Sequence, residues 1–281
     1  MQTLDHKLSQ LKAILHDLGS AVVAFSGGVD STLLAVLTFE ILTARMIAVT
    51  ARSALFPYHE YGHACAAAQL FGFPHLTIPS TSLEDPAFLA NPPDRCYLCK
   101  KKLLEALETV RKEKQFNVII EGSNVDDLAD YRPGRNAVRE LNIGSPLLEA
   151  GLNKNDIREL ARRYAIPVWN KPASACLASR IPYGRTITRA TLQRIERAEN
   201  VLHDLGFEQV RVRDNDDLAL IELGQNEMDR FIKNKHLHLP VITGLKETGY
   251  QRIALDLEGY RTGSLNEALS TDTVKNDLQP E

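Results

Sequence analysis

The residues best equipped for chemistry fall into three groups. The first is the run Ser26, Gly27, Gly28, Val29, Asp30 and Ser31, followed by Thr32. Two glycines without Cβ atoms let a backbone close on phosphate oxygens, and successive amides at a helix start supply donors and a positive dipole end. Ser26, Ser31 and Thr32 add hydroxyl groups. No lysine follows the glycines, so the loop is not the Walker A type, which places one on the terminal phosphates. Asp30 alone would repel an anion, and its use beside phosphates is to hold a magnesium ion that they share. A turn that merely capped a helix would need neither both serines nor the carboxylate.

The second group is the cysteines. The chain has four, too few for a disulfide framework over 281 residues. Cys96 and Cys99 form a CxxC pair, Cys176 lies far downstream, and Cys65 sits among alanines, where helix packing is its expected role. A lone CxxC can be a redox pair or half of a zinc site. Zinc would need two further ligands, drawn from Cys176, Cys65 and eight histidines. Lys100, Lys101 and Lys102 beside the pair can lower thiol pKa values, although helix surface is the default for lysines.

The third group is arginines. Between Arg180 and Arg213 there are seven, at 180, 185, 189, 194, 197, 211 and 213, and no lysine. Planar forks are thereby favoured over point charges, as suits carboxylates and phosphates. Arg211 and Arg213 are two apart on an expected strand and share one face. Arg189, Arg194 and Arg197 read as a solvated helix face.

These groups need elements to position them. Leu8, Leu11, Ile14, Leu15 and Leu18 recur at helical spacing over 4–18, and the apolar run 21–25 reads as a strand buried on both faces. It runs through the glycine loop into a helix over 32–42. Strands follow at 46–50, 75–79 and 118–122, with helices at 58–71 and from about 98 to 113. Strands alternating with helices imply right-handed crossovers and an α/β fold with a doubly wound, mostly parallel sheet, which binds ligands at the carboxyl ends of its strands. After about residue 180 the pattern changes to a helix over 189–205, strands at 209–213, 218–223 and 252–257, and a helical stretch near 227–235. That reads as a smaller α+β domain at 181–281 after a nucleotide-binding domain at 1–180, with a polar tail from Ser270. Lys plus Arg is 33 against 36 for Asp plus Glu, a net charge of −3, which argues against a nucleic-acid partner. The apolar stretches are far short of a membrane span and the first residues lack a signal-peptide core, so a cytoplasmic protein is expected.

The strand, SGGVDS loop and helix resemble the PP-loop ATP pyrophosphatases, which cleave ATP to AMP and pyrophosphate while activating an oxygen by adenylation. Glu121, Gly122, Ser123 and Asn124 look like that fold's strand-end nucleotide loop. Pro146 to Leu148, the helix from Ile157 to Tyr164, and Lys171 to Ser174 look like its closing part. Within that superfamily, Asp130 to Gly134, Ala175 to Gly184 (ACLASRIPYG), Arg211 to Arg213 and Gly259 to Gly263 resemble the LarE family, ATP-dependent sulfur transferases of nickel-pincer cofactor synthesis. The resemblance implies a substrate, pyridinium-3,5-biscarboxylic acid mononucleotide, whose ring carboxylates are adenylated and converted to thiocarboxylates. It implies Ser26 to Thr32 and Gly122 as nucleotide-binding residues and Arg180, Arg211, Arg213 and Arg261 as substrate ligands. Glu199 would hold one of these arginines or the substrate, or be a simple surface carboxylate. Assembly into a homo-oligomer is also implied.

Members of the family divide by sulfur source. One type gives up the sulfur of the cysteine equivalent to Cys176 and ends as dehydroalanine; another carries two more cysteines and is thought to bind a [4Fe–4S] cluster able to hold an extra sulfide. Cys96, Cys99 and Cys176 follow the second pattern, three thiolates leaving one iron open to sulfide. The redox-pair and zinc readings of CxxC stay open here, as does sacrifice of Cys176. The expected cofactors are ATP, magnesium and the cluster. Rival functions are a PP-loop tRNA thiolase, amide formation with ammonia, and a nucleotide-binding iron–sulfur carrier.

Overall fold

The computed structural model describes residues 3–128, 133–171, 175–261 and 263–268. Asp130, Tyr131 and Arg132, then Pro172, Ala173 and Ser174, Thr262, and the tail from Ser270 lie outside the described residues. The chain divides into two compact units, one containing residues 3–82 and 94–171, the other 83–93 and 175–268.

The first unit is α/β. Strands β1 (Ala21–Ala24), β2 (Met46–Arg52), β3 (His75–Pro79) and β4 (Val118–Ile120) form a parallel sheet in the order β3-β2-β1-β4. The continuous apolar run of β1 reflects two covered faces. Ala21 and Val23 join the core with α1 (Leu4–Asp17) and α2 (Val29–Leu42). Val22 belongs to a second core with Leu104, Leu107 and Val110. Helix α3 (Tyr58–Phe71) follows β2. The short helix α4 (Pro86–Leu89) falls in the second unit, and α5 (Arg95–Glu113) returns the chain to the first. Helices α6 (Gly134–Glu140), α7 (Pro146–Glu149) and α8 (Lys154–Arg163) complete it. Because β2 and β4 flank β1, the chain reverses direction across the sheet there. The switch point thus lies between the ends of β1 and β4, where Ser26 to Gly28 and Glu121 to Asn124 emerge.

Two helix starts differ from the sequence reading, and both matter chemically. Helix α2 begins at Val29, so Asp30 and Ser31 stand in its first turn. Helix α5 begins at Arg95, so Cys96 stands inside its first turn rather than ahead of it, with Cys99 one turn further on.

In the second unit β5 (Val210–Asn215) pairs antiparallel with β6 (Leu218–Leu223), which pairs parallel with β7 (Arg252–Leu255). Helices α9 (Arg189–Asp204), α10 (Gln225–Lys233) and α11 (His238–Glu247) accompany them. Leu202, Phe207, Val212, Ile221, Leu245 and Tyr250 are central to the core. Helix α11 is absent from the sequence reading because Pro240 stands in its run. In a first turn, however, proline costs little, since the amide it lacks has no helical partner anyway. Among the described residues no helix is long and apolar enough to cross a membrane.

Asn91 explains why residues 83–93 belong to the second unit. It is fully buried in the left-handed region at φ 56°, and its amide donates to the carbonyls of Ile181 and Pro182 at 3.3 and 2.8 Å. Its own carbonyl accepts from Gly184. Asn91→Ala strands the buried Ile181 carbonyl, leaves Pro182 with the Arg185 amide alone, and places a Cβ-bearing residue without a local polar partner at positive φ, so chemical denaturation should read a loss of about 2–4 kcal/mol. Asn91→Gly, which tolerates the φ, should recover only the backbone part; equal stability of all three proteins would refute the assignment.

Candidate functional site

At the end of β1 the backbone turns through Gly27 at φ 77° and enters α2 at Gly28. A Cβ at Gly27 would stand 2.9 Å from the backbone nitrogen and Cα of Ala64 on α3, so glycine is required for packing as well as conformation. The serines shape the loop. The hydroxyls of Ser26 and Ser31 lie 3.0 Å apart, the Ser26 amide donates to Ser31 Oγ at 3.3 Å, and Ser31 Oγ donates to the Gly28 carbonyl at 3.2 Å. The fully buried Thr32 Oγ1 has no hydrogen-bond partner among the described residues. A Cβ at Gly122 would meet the Ser31 amide nitrogen at 3.2 Å, so the predicted residues of the β1 and β4 loops come together. Asp30 accepts from Asn124 Nδ2 at 3.3 Å on one carboxylate oxygen and from Lys154 Nζ on the other. A loop of amides and hydroxyls with one partly exposed carboxylate and an orphaned hydroxyl has the donor set that a magnesium-bound nucleotide needs.

The CxxC helix is tied to this end of the sheet. Cys96 is exposed and Cys99 half-buried, and Ser82 Oγ donates to Cys99 Sγ at 3.4 Å. At i and i+3 in one helical turn the two sulfurs can face one ligand. Lys100 is half-buried rather than free on the helix surface: its ammonium sits 3.1 Å from Glu121, which also accepts from the Ser123 amide and Ser145 Oγ. Burial pushes the Glu121 carboxyl up, but Lys100 and the two donors outweigh it and hold the group below the usual range. Lys101 pairs instead with Glu140 and Tyr97. Cys65 is half-buried on α3.

In the second unit, Cys176 precedes a short helical turn, Leu177–Arg180. The buried Arg180 binds Glu199 in a fork, with Nε and Nη2 at 2.8 and 3.0 Å from its two oxygens. Its Nη1 donates to the carbonyls of Ala175 and Cys176 and to Ser179 Oγ. Glu199, 4% exposed, also accepts from the Val212 amide; it is a buried anchor, not a surface carboxylate. Arg213 makes a second fork, on Glu222, and donates to the Ser179 carbonyl at 2.5 Å and to Ser264 Oγ. Arg211 lies between these cations in character. It stacks on Tyr260 at 4.1 Å and donates to that hydroxyl and to the Arg261 carbonyl, but has no ion pair among the described residues. Burial, together with Arg180 and Arg213, pulls its pKa down.

Arg261 enters through its backbone. Its carbonyl accepts from Arg211, while its guanidinium pairs with Glu258 and Glu267 at the surface. Arg194 departs from the solvated-face reading, as it pairs with the buried Asp214 and stacks on Tyr250 at 4.6 Å. Sequence reasoning missed Lys154 and Glu222, for which composition offers no signal, and gave no role to Tyr260 within the Gly259 to Gly263 motif. It also missed the pair of Lys171 with Glu60 (2.6 Å) and His63 (2.8 Å) on α3, the helix against which Gly27 packs.

Two measurements follow from these ion pairs. Glu199→Ala leaves the Arg180 guanidinium buried without its carboxylate and should cost about 3–5 kcal/mol in denaturant unfolding, whereas a loss below 1 kcal/mol would show the fork is not formed. Burial pushes Glu60 up, but His59 and Lys171 bring it down to about 2 from 4.5. Its folded value is depressed, so its contribution of about 3 kcal/mol is complete above pH 4.5 and is lost as pH falls toward 2. Glu60→Gln should flatten that part of the acid-unfolding profile, and an unchanged slope would contradict the pairing.

No protein-family model matches the chain. It is 40% identical over 267 residues to an uncharacterized protein of Synechocystis sp., covering 95% of this chain and 99% of that one. It is 32% identical over 241 residues to an uncharacterized protein of Methanocaldococcus jannaschii, covering 86% and 90%. With the pyridinium-3,5-bisthiocarboxylic acid mononucleotide synthase of Lactiplantibacillus plantarum it shares 35% identity over 274 residues, 96% of this chain and 97% of the relative. Similarity at that level over nearly the full length of both proteins, on a chain that brings Cys176 and a buried arginine cluster together, means that it belongs to the LarE family of that synthase.

Proposed function

We propose that this chain is an ATP-dependent sulfur transferase of nickel-pincer cofactor biosynthesis, converting the carboxylates of pyridinium-3,5-biscarboxylic acid mononucleotide to thiocarboxylates. The observation that carries the reading is the wiring of the Cys176 segment to a buried cationic cluster. Among the described residues, Arg180 and Arg213 pair with the buried Glu199 and Glu222 and Arg211 has no ion pair, leaving one positive charge in excess in this cluster. Buried cations lacking a partner favour an anion, and a planar fork matches a phosphate. Arg180 and Arg213 hold the carbonyls of Cys176 and Ser179, so the groups suited to a substrate phosphate also fix the sulfur-bearing segment.

The chemistry proceeds in two displacements. ATP lies on the loop from Ser26 to Thr32, its phosphates against the backbone amides and the serine hydroxyls, with Gly122 leaving room at the strand end. When bound, magnesium at Asp30 neutralises phosphate charge. A ring carboxylate oxygen attacks the α-phosphorus, the bond to the bridging oxygen breaks, and pyrophosphate leaves with the electron pair. The acyl adenylate then accepts a sulfur nucleophile at its carboxyl carbon. The C–O bond breaks and AMP departs with the oxygen. Fixing charged reactants in place contributes most of the acceleration.

For the sulfur, Cys96 and Cys99 share one helical turn with their sulfurs able to face one ligand, and Cys176 supplies a third thiolate, a donor set suited to a [4Fe–4S] cluster. Held there, such a cluster would offer an open iron for exogenous sulfide and so allow repeated turnover. Within the chain, Ser82 supports Cys99 and Arg180 supports the Cys176 segment.

Anaerobic reconstitution followed by iron and sulfide analysis should find about four irons per chain, with many thiocarboxylates formed per chain and the mass of the protein unchanged. Cys96→Ala should abolish iron retention. Absence of iron, with one product per chain and the mass of one sulfur lost from Cys176, would overturn the cluster and establish sacrifice of that cysteine. Arg211→Met should raise KM for the mononucleotide by about tenfold to a hundredfold and leave KM for ATP within about twofold, as expected for a lost phosphate contact. An equal effect on both would place Arg211 outside the substrate site.

A further inference from the structure

The glycine loop has no lysine of its own, yet a lysine reaches it from elsewhere in the chain. Lys154 is the first residue of α8 and lies 124 positions beyond Asp30, on whose Oδ2 its ammonium rests. Its backbone is fixed. The Lys154 amide donates to Asp126 Oδ2 at 2.7 Å, and Asn153 and Asp156 form a reciprocal capping box around the helix start. The Val125 amide donates to the Leu152 carbonyl at 3.0 Å, joining this helix start to the strand-end loop that supplies Asn124. Thus the lysine stem is anchored while its head is 26% exposed, facing an aspartate that is 22% exposed.

Two other lysines of this unit are committed differently. Lys100 neutralises the buried Glu121, and Lys171 lies against the buried Glu60 and His63. Neither carboxylate belongs to the loop. Lys154 alone of the three pairs with the group that would hold a metal. One carboxylate oxygen cannot serve an ammonium at hydrogen-bond distance and a divalent cation at full strength, because like charges at such separation repel.

Resting on the nucleotide-loop reading above, we propose that Lys154 is the phosphate-binding cation of the loop, stored on Asp30 until nucleotide and metal bind together. Metal on Asp30 deprives the ammonium of its counter-ion, and the nearest new anion is a nucleotide phosphate. Lys154 therefore opposes metal binding without nucleotide and assists nucleotide binding. The exchange is a rearrangement of ion pairs with no bond made or broken.

Mn2+ alone, titrated by the EPR signal of the free ion, and a non-hydrolysable methylene-bridged ATP analogue, titrated by calorimetry without metal, test both halves. Lys154→Met should bind Mn2+ about tenfold more tightly than the unaltered chain and the analogue about tenfold more weakly. Adding Asp30→Asn should remove the gain in Mn2+ affinity, and Lys154→Arg should retain most of the analogue affinity. Circular dichroism checks that α8 survives. If the unaltered chain binds the analogue but Lys154→Met leaves Mn2+ affinity within about twofold, the storage role is wrong. If analogue affinity is unmoved, the phosphate role is wrong. If the unaltered chain binds no analogue, the nucleotide-loop reading fails and takes the proposal with it.

Discussion

Among the described residues, the face of β5 that carries Arg211 and Arg213 joins these two guanidiniums and Arg180 to two buried carboxylates, Glu199 and Glu222, and much of the second unit's arrangement follows from satisfying them. Burying an arginine is tolerable only when its charge and its donors are met. Glu199 meets Arg180 with both oxygens and still takes the Val212 amide, which fixes α9 against β5. Glu222, opposite Arg211 on β6, is reached diagonally by Arg213. The alternation of β5 puts Val210 and Val212 into the apolar core and Arg211 and Arg213 onto the other face. That second face is also buried, so its polar groups must be partnered internally. The remaining donors go to carbonyls of the Cys176 turn, to Ser264 and to Tyr260. The one charge left over is the physical reason to expect an anion there.

The first unit applies a different device to a similar end. Its parallel sheet places the ends of β1 and β4 side by side, and glycine at 27 and 122 lets α3 and the β4 loop approach the α2 N-terminus closely. Charge is then distributed by lysines rather than arginines, each on a carboxylate: Lys100 on Glu121, Lys154 on Asp30, Lys171 on Glu60. A lysine head is a point charge on a flexible stem and can be exchanged between partners more readily than a forked guanidinium. Rigid forks therefore fix the Cys176 turn in the second unit, whereas adjustable ammonium groups line the glycine-loop end of the first.

The sequence made much of this legible where local physics decides. The buried strands were readable from continuous apolar runs, the glycine loop from spacing, and the shared face of Arg211 and Arg213 from strand period. Partnerships were not readable, because they depend on which elements the fold brings together. Lys154 looks like any surface lysine until α8 is seen beside Asp30, and Glu222 like any strand carboxylate until Arg213 forks onto it. The start of α5 was misplaced since Arg95, Cys96 and Tyr97 carry no apolar periodicity. The assignment of residues 83–93 to the second unit rests on Asn91, whose two side-chain bonds span 90 and 91 positions. The bond from Arg211 to the Arg261 carbonyl is of the same kind, since it joins residues 50 positions apart.

The central claim is that this chain couples ATP cleavage at the glycine loop to activation of a pyridinium carboxylate. Pyrophosphate release by the unaltered protein with ATP and magnesium, measured with and without pyridinium-3,5-biscarboxylic acid mononucleotide, tests it most directly. The account predicts release only when the mononucleotide is present, with AMP formed in equal amount. Release that is indifferent to the mononucleotide, or ADP and phosphate in place of AMP and pyrophosphate, would contradict it.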